Sequence, residues 1–194
     1  TDAITEDTSG NVGIGASPVG YAAVLSALQL GGNANIAAES STGASQYLHI
    51  SQNANFDADS SWEYISTDEA SSYYQNNGTH VWRYAASGTA GTDISWSEAM
   101  RIDSSGNLLV GTTSTNPHSG GDSVYGTQIH PTLGILVASN GSHAGIFSRK
   151  QSNGEILRFQ RNNTDVGSID VTTSSTSYNT SSDYRLKTDA QPMT

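Results

Sequence analysis

The side chains whose types could do chemistry fall into three sets. The densest acidic cluster is Asp57, Asp59, Glu63, Asp68 and Glu69, and two carboxylates at a defined separation are what glycoside hydrolysis requires. Five histidines, His49, His80, His118, His130 and His143, never occur as a close pair. The ordinary role of each is surface or core, and the alternative is one ring per chain gathered around a symmetry axis. The aromatic set Trp62, Tyr64, Tyr73, Tyr74, Trp82, Tyr84 and Trp96 can fill a core or stack on sugar rings. Alternation in Trp62-Glu63-Tyr64 and Trp82-Arg83-Tyr84 sends most of these rings to one face, so Trp62 and Trp82 are read as core. Tyr73, Tyr74 and the turn residues Asn76 and Asn77 are candidates for contact with a receptor. There is no cysteine, and no carboxylates stand at EF-hand spacing; the sequence points to no metal and no cofactor.

Strands must position these groups. The 194 residues are 35% apolar and 13% charged, enough for one or two modest domains but thin for a large monomeric core. Twenty glycines and four prolines among abundant Ser, Thr and Asn suit a turn-rich β protein. Eighteen acidic against eight basic residues give a net charge of −10, and no Lys or Arg precedes residue 83. Electrostatic binding to nucleic acid is disfavoured. No apolar run approaches ~18 residues, which argues against membrane insertion through a helix. Residues 1–20 lack the basic start and apolar middle of a signal peptide. The absent initiator Met and the ending Gln191-Pro192-Met193-Thr194 lead us to expect a fragment of a longer chain.

An eleven-residue pattern occurs twice, from Asp7 to Ser17 and from Asp103 to Thr113, each opening Asp-x-Ser-Gly-Asn. Ser-Gly-Asn supplies a turn, and Val12 with Ile14, or Leu108 with Val110, then alternate as in a strand. The two copies are read as junctions. They divide the chain into a junction at 1–18, an aromatic-rich β module at 19–102, a second junction and Gly/Ser linker at 103–123, and a C-terminal β region at 124–182. Strands are predicted at Tyr47–Ser51, Trp62–Ser66, Thr79–Tyr84, Ile94–Trp96, Ala99–Asp103, Gly134–Ala138, Ala144–Ser148, Glu155–Arg161 and Val166–Thr172, forming antiparallel sheets in a small sandwich. Tyr21, Val24, Leu25 and Leu28 match a helical stripe, although Leu28-Gln29-Leu30 alternates. The expected fold class is therefore mainly β, with β-sandwich-like modules and little helix.

The segment Ser182-Asp183-Tyr184-Arg185-Leu186-Lys187 resembles the Ser-Asp-x-Arg-Leu-Lys signature that opens the C-terminal intramolecular chaperone of phage tail fibres, tailspikes and endosialidases. Val166-Gly167-Ser168-Ile169, followed by Ser177-Tyr178-Asn179-Thr180-Ser181, is similar to the stretch such fibres carry before the motif. The Ser-Gly-Asn junctions occur in them as well. The resemblance implies an elongated homotrimeric fibre with intertwined strands, in which residues 183–194 begin the chaperone. It also implies a single self-cleavage next to Ser182, with Ser182 and Lys187 in the chemistry and Asp183 at the cut. A hydroxyl beside its own peptide bond has a very high effective concentration, and a lysine of depressed pKa could take its proton. That chemistry would belong to a full-length precursor, so the mature fragment is not expected to be an enzyme.

These expectations converge on a virion protein made in the host bacterial cytoplasm. Its role would be noncatalytic adhesion to a bacterial surface glycan or outer-membrane protein, with other tail proteins as neighbours. A structural spacer and a polysaccharide depolymerase are the two alternatives.

Overall fold

A computed structural model of the chain describes residues 3–43, 46–121, 123–141 and 143–180. Among these residues sixteen strands follow in chain order. They are β1 (Ile4–Glu6), β2 (Val12–Ile14), β3 (Leu25–Leu30), β4 (Ala34–Glu39), β5 (Tyr47–Gln52), β6 (Ala54–Phe56), β7 (Trp62–Tyr64), β8 (Asp68–Asn76), β9 (Thr79–Gly88), β10 (Ser97–Ile102), β11 (Leu108–Val110), β12 (Gly126–His130), β13 (Gly134–Ala138), β14 (Gly154–Arg161), β15 (Thr164–Val171) and β16 (Thr176–Thr180). The protein is mainly β, with no helix among the described residues.

The chain divides into two compact units between Ala144 and Gly145. The first holds an eleven-stranded sheet in the order β1-β2-β3-β4-β5-β8-β9-β10-β11-β12-β13, with the hairpin β6–β7 outside that sheet. Its neighbours are antiparallel except for the parallel pair β2–β3, where Val12 faces Leu28 and Ile14 faces Leu30. Strands β12 and β13 therefore extend the first sheet through β11. The second unit is the three-stranded antiparallel meander β14-β15-β16.

Three hairpins share one five-residue turn. In the first, Asp7 Oδ1 accepts the amides of Ser9 (2.8 Å) and Asn11 (2.9 Å), and its Oδ2 accepts Asn11 Nδ2 at 2.8 Å. The second repeats this at Asp103, with Ser105 and Asn107 amides at 2.9 Å and Asn107 Nδ2 at 2.7 Å. Gly10 and Gly106 both stand at φ +82°, the left-handed region that side chains disfavour. The third copy, between β6 and β7, has Asp57 accepting Asp59 and Ser61 amides, and Ser60 takes the glycine's place at φ +64°. A single acceptor thus closes each turn and fixes the register of the strands on either side.

The two faces of the long sheet differ in kind. One face bears Ala27, Ala37, His49, Tyr74, Val81, Arg101 and Leu109 in adjacent register positions. The hairpin β6–β7 covers part of it, with Asn35 Nδ2 donating to Ala54 O at 2.6 Å. Asn53, wholly buried at φ +54°, ties Ser66 and Glu69 O to the same corner. Two apolar clusters lie here: Ala54, Tyr64, Ala70, Ala85 and Ile94 in one, and Tyr21, Leu25, Ala27 and Ala37 in the other. The opposite face carries Val12, Leu28, Ile36, Ile50, Tyr73, Trp82, Met100 and Val110 in one continuous row across the ladder, and Thr127 then separates Val110 from Val137. No described element of the first unit covers it, and Ile50 is 48% and Ile135 72% exposed.

Several expectations require correction. The helical stripe at Tyr21–Leu28 is not a helix: β3 pairs on both sides, with β2 and β4, and alternates Leu25 and Ala27 inward with Leu30 outward. Cross-strand pairing outweighs the local pattern. Ile94–Trp96 is a strap rather than a strand, held through Ile94 N to Trp62 O at 2.6 Å. Ala144–Ser148 finds no ladder partner among the described residues, and Ile146 is 79% exposed there. In place of a small sandwich, a two-stranded hairpin lies on one long sheet, because Asn35 and Asn53 bind its backbone directly and leave room only for small side chains beneath it. Trp82, read as core, belongs to the uncovered face, whereas Trp62 packs against the first cluster.

Candidate functional site

The first unit holds a cleft of about 330 Å³ lined by Leu25, Glu39, Tyr47, His49, Phe56, Trp62, Tyr74 and Arg83. Period-two alternation on three sheet strands supplies its floor: Tyr47 and His49 from β5, Tyr74 from β8, Arg83 from β9. The hairpin supplies the wall, Phe56 at the end of β6 and Trp62 at the start of β7, with Ser61 between them bonded to Asp93 at 2.7 Å. The rings form a continuous set. His49 stacks on Tyr47 at 5.4 Å and meets the edge of Trp62 at 4.8 Å; Trp62 touches Phe56 at 5.4 Å and Trp96 at 6.2 Å.

Arg83, the first basic residue of the chain, sits in the middle of these rings. Its guanidinium carbon lies 4.3 Å from the Trp96 centroid, 4.9 Å from Trp62 and 5.0 Å from Tyr74, the geometry of cation–π attraction. Its Nε and Nη2 are buried without a hydrogen-bond partner. Burial pulls its pKa down to about 10, so it is still cationic at neutral pH. Glu98 lies opposite Arg83 in the ladder but is bound in bidentate fashion to Arg101. His49, 6% exposed, has an unpartnered Nδ1, and burial followed by the Arg83 charge drives its pKa down to about 4. Trp96 Nε1 is a third buried donor without an acceptor.

No family model, curated protein or solved structure matches this chain.

The receptor-contact candidates are divided by the fold. Tyr74 enters the cleft, but Tyr73 points to the opposite face, where its hydroxyl meets His80 Nδ1 at 2.6 Å and its ring lies 4.9 Å from Trp82. Asn76 and Asn77 line a separate recess at the β8–β9 turn, which shares only Tyr47 with the cleft. Ser182, Asp183 and Lys187 lie outside the described residues. In the acidic cluster, Asp57, Asp59 and Glu63 gather with Asp93, and desolvation together with these carboxylates raises the pKa of Glu63. Asp68 and Glu69 stand apart at the start of β8. Among the described residues no three such side chains group to hold a metal ion. His49 and Arg83 were not singled out from the sequence as site residues. The signal was present in Tyr47-Leu48-His49, where alternation puts His49 on the face of Tyr47, and in Trp82-Arg83-Tyr84, where it sends Arg83 to the face opposite its two aromatic neighbours.

Proposed function

We propose that this chain is a segment of a homotrimeric phage tail fibre that adheres, without catalysis, to a glycan or protein on the bacterial surface. The observation that carries the reading is the uncovered apolar face of the long sheet, from Val12 across Ile36 and Ile50 to Val137. A monomeric soluble protein rarely leaves so wide an apolar surface open to water, and three copies of one chain can bury it against each other. The Ser182–Lys187 motif supports the same assignment: a C-terminal chaperone would align the three chains and then release itself by cleavage next to Ser182. Non-local strand pairing across chains is slow and leaves edges exposed meanwhile, which is why such a template is useful.

The cleft lies on the other face of the sheet, so association through the apolar face leaves it open to ligand. Three weak sites acting together give usable avidity. Light scattering should return three times the mass of one chain, and the trimer should adsorb to host cells; a stable single chain in dilute solution would falsify the assembly. In the full-length precursor, Ser182→Ala should abolish the smaller cleavage product seen by mass spectrometry, and an unchanged fragment pattern would remove the self-cleavage role.

A further inference from the structure

We infer that the aromatic cleft around Arg83 binds a carboxylate-bearing sugar, such as a hexuronic acid residue of an acidic surface polysaccharide. This deepens the adhesive reading and rests on it for why the ligand should be a sugar.

Arg83 is an anomaly that needs an acceptor. The acidic residues outnumber the basic by ten, yet no carboxylate among the described residues forms a salt bridge with this guanidinium; the ion pairs there are Arg101–Glu98, Arg158–Glu155 and Arg158–Asp165. A half-buried cation with Nε and Nη2 unpartnered is costly to the fold. The planar fork of a guanidinium matches a carboxylate in a bidentate pair, and a carboxylate entering the cleft offers the acceptor and counter-charge the chain withholds. His49, more than nine-tenths buried, also lines the cleft and has an Nδ1 without a hydrogen-bond partner.

The rest of the cleft selects a sugar. Tyr47, Tyr74, Trp62 and Phe56 present ring faces and edges on which the apolar C–H face of a pyranose can lie. The volume is at the lower end of that of small-molecule sites, which suits one ring rather than a long stretch of chain. A cationic ligand is disfavoured because the ring cage already houses Arg83. A phosphate dianion would find one guanidinium and the rim carboxylate of Glu39, in a chain of net charge −10.

The test is titration of the full chain with methyl β-D-glucuronide and methyl β-D-galacturonide, each against its neutral glycoside, read by the indole N–H resonances of the three tryptophans. Trp62 and Trp96 touch Arg83, and Trp82 on the opposite face is an internal control. At least one uronide should shift Trp62 and Trp96 saturably at ~10 mM, as a weak single site demands, and leave Trp82 still. The neutral sugars should respond about tenfold more weakly, and Arg83→Gln should erase the difference. No saturable shift with either uronide, an equal response to the neutral sugars, or an unchanged response in Arg83→Gln overturns the inference. If Arg83→Gln does not fold, the comparison of charged and neutral sugars on the unmodified protein still decides. Failure of adhesion looks different: the uronide shift would persist while the protein adsorbed to no bacterium. Conversely, equal adsorption by unmodified protein and a folded Arg83→Gln variant would sink the site and leave adhesion standing.

Discussion

The first unit encloses two apolar clusters and a wholly buried Leu109, whereas none of the described residues from Gly145 to Thr180 is buried. Both are built from antiparallel hairpins, so the contrast does not lie in local structure. It lies in whether a second layer exists. In the first unit β6–β7 folds over the sheet; in the second, Leu157, Ile169 and Tyr178 line one face of a three-stranded meander in register, and Tyr178 is 76% exposed. A three-stranded sheet needs packing on its apolar face to be independently stable. In the proposed assembly, association would supply the second unit's missing layer, whereas for the first unit it would cover one face only.

The largest effect should appear on dilution. If association supplies the second unit's missing layer, the backbone amides of β14–β16 should lose about 100-fold or more of their hydrogen-exchange protection when the protein is diluted below its association range, while those beside Ala54 and Ala85 hold theirs. Phe159→Asp should produce the same loss at high concentration. Equal protection of both units in dilute solution would erase the distinction.

Within the first unit, substitutions on the two sheet faces should separate by several kcal/mol. Leu109→Ala removes a fully buried side chain and should cost about 2–5 kcal/mol, independent of concentration. Ile50→Ala on the open face should cost well under ~1 kcal/mol in dilute solution, and more once chains associate. Gly88→Ala belongs with the first class, since an added Cβ would overlap the Tyr64 ring, whose hydroxyl is anchored to Ala86 O at 2.6 Å. Urea unfolding at two protein concentrations measures all three.

Acid should also act on the first unit. The folded-state pKa of His49 is about 4, below its ordinary 6.5, so between those values the unfolded chain binds a proton that the folded chain refuses. Stability on this account is fully present above pH 6.5, declines as pH falls to about 4 and then levels off, by on the order of 3 kcal/mol in total. His49→Gln should flatten that part of the profile. A parallel decline in the variant would assign the effect to other groups.

Which parts of this were legible in the sequence follows from what is local. Asp-x-Ser-Gly-Asn marked two of the three shared turns because Gly10 and Gly106 announce positive φ; the third was hidden by Ser60 in the same conformation. Most strands followed from alternation, but Asp68–Asn76 escaped because its buried inward residues ahead of Tyr74 are Ala70 and Ser72, too small or polar to mark a buried face. The covered face was not legible either. Ile36 and Ile50 look like core and stand outside, because Asn35 and Asn53 bring the hairpin backbone down onto the other side. Tyr74 was found as a candidate, but its tie to His49 and Arg83 is a matter of register across three strands, which no local pattern encodes.

The smallest predicted difference tests how far a shared turn is shaped by its surroundings. Asn11 and Asn107 occupy equivalent positions and make the same bonds to Asp7 and Asp103. Asn11 Oδ1 in addition accepts the Ala27 amide at 3.0 Å, because β3 runs parallel beside β2; Asn107 Oδ1 is buried with no donor. Asn11→Ala leaves the buried Ala27 N–H without an acceptor, which costs about 1–3 kcal/mol beyond the loss of the turn bond. Asn107→Ala loses the turn bond but also removes an acceptor that was already unsatisfied, so its cost should be smaller by at least that ~1–3 kcal/mol. Equal losses in dilute solution would mean that the turn alone governs both hairpins. A gap that closes only at high protein concentration would mean that a neighbouring chain supplies Asn107 with the donor its own chain does not.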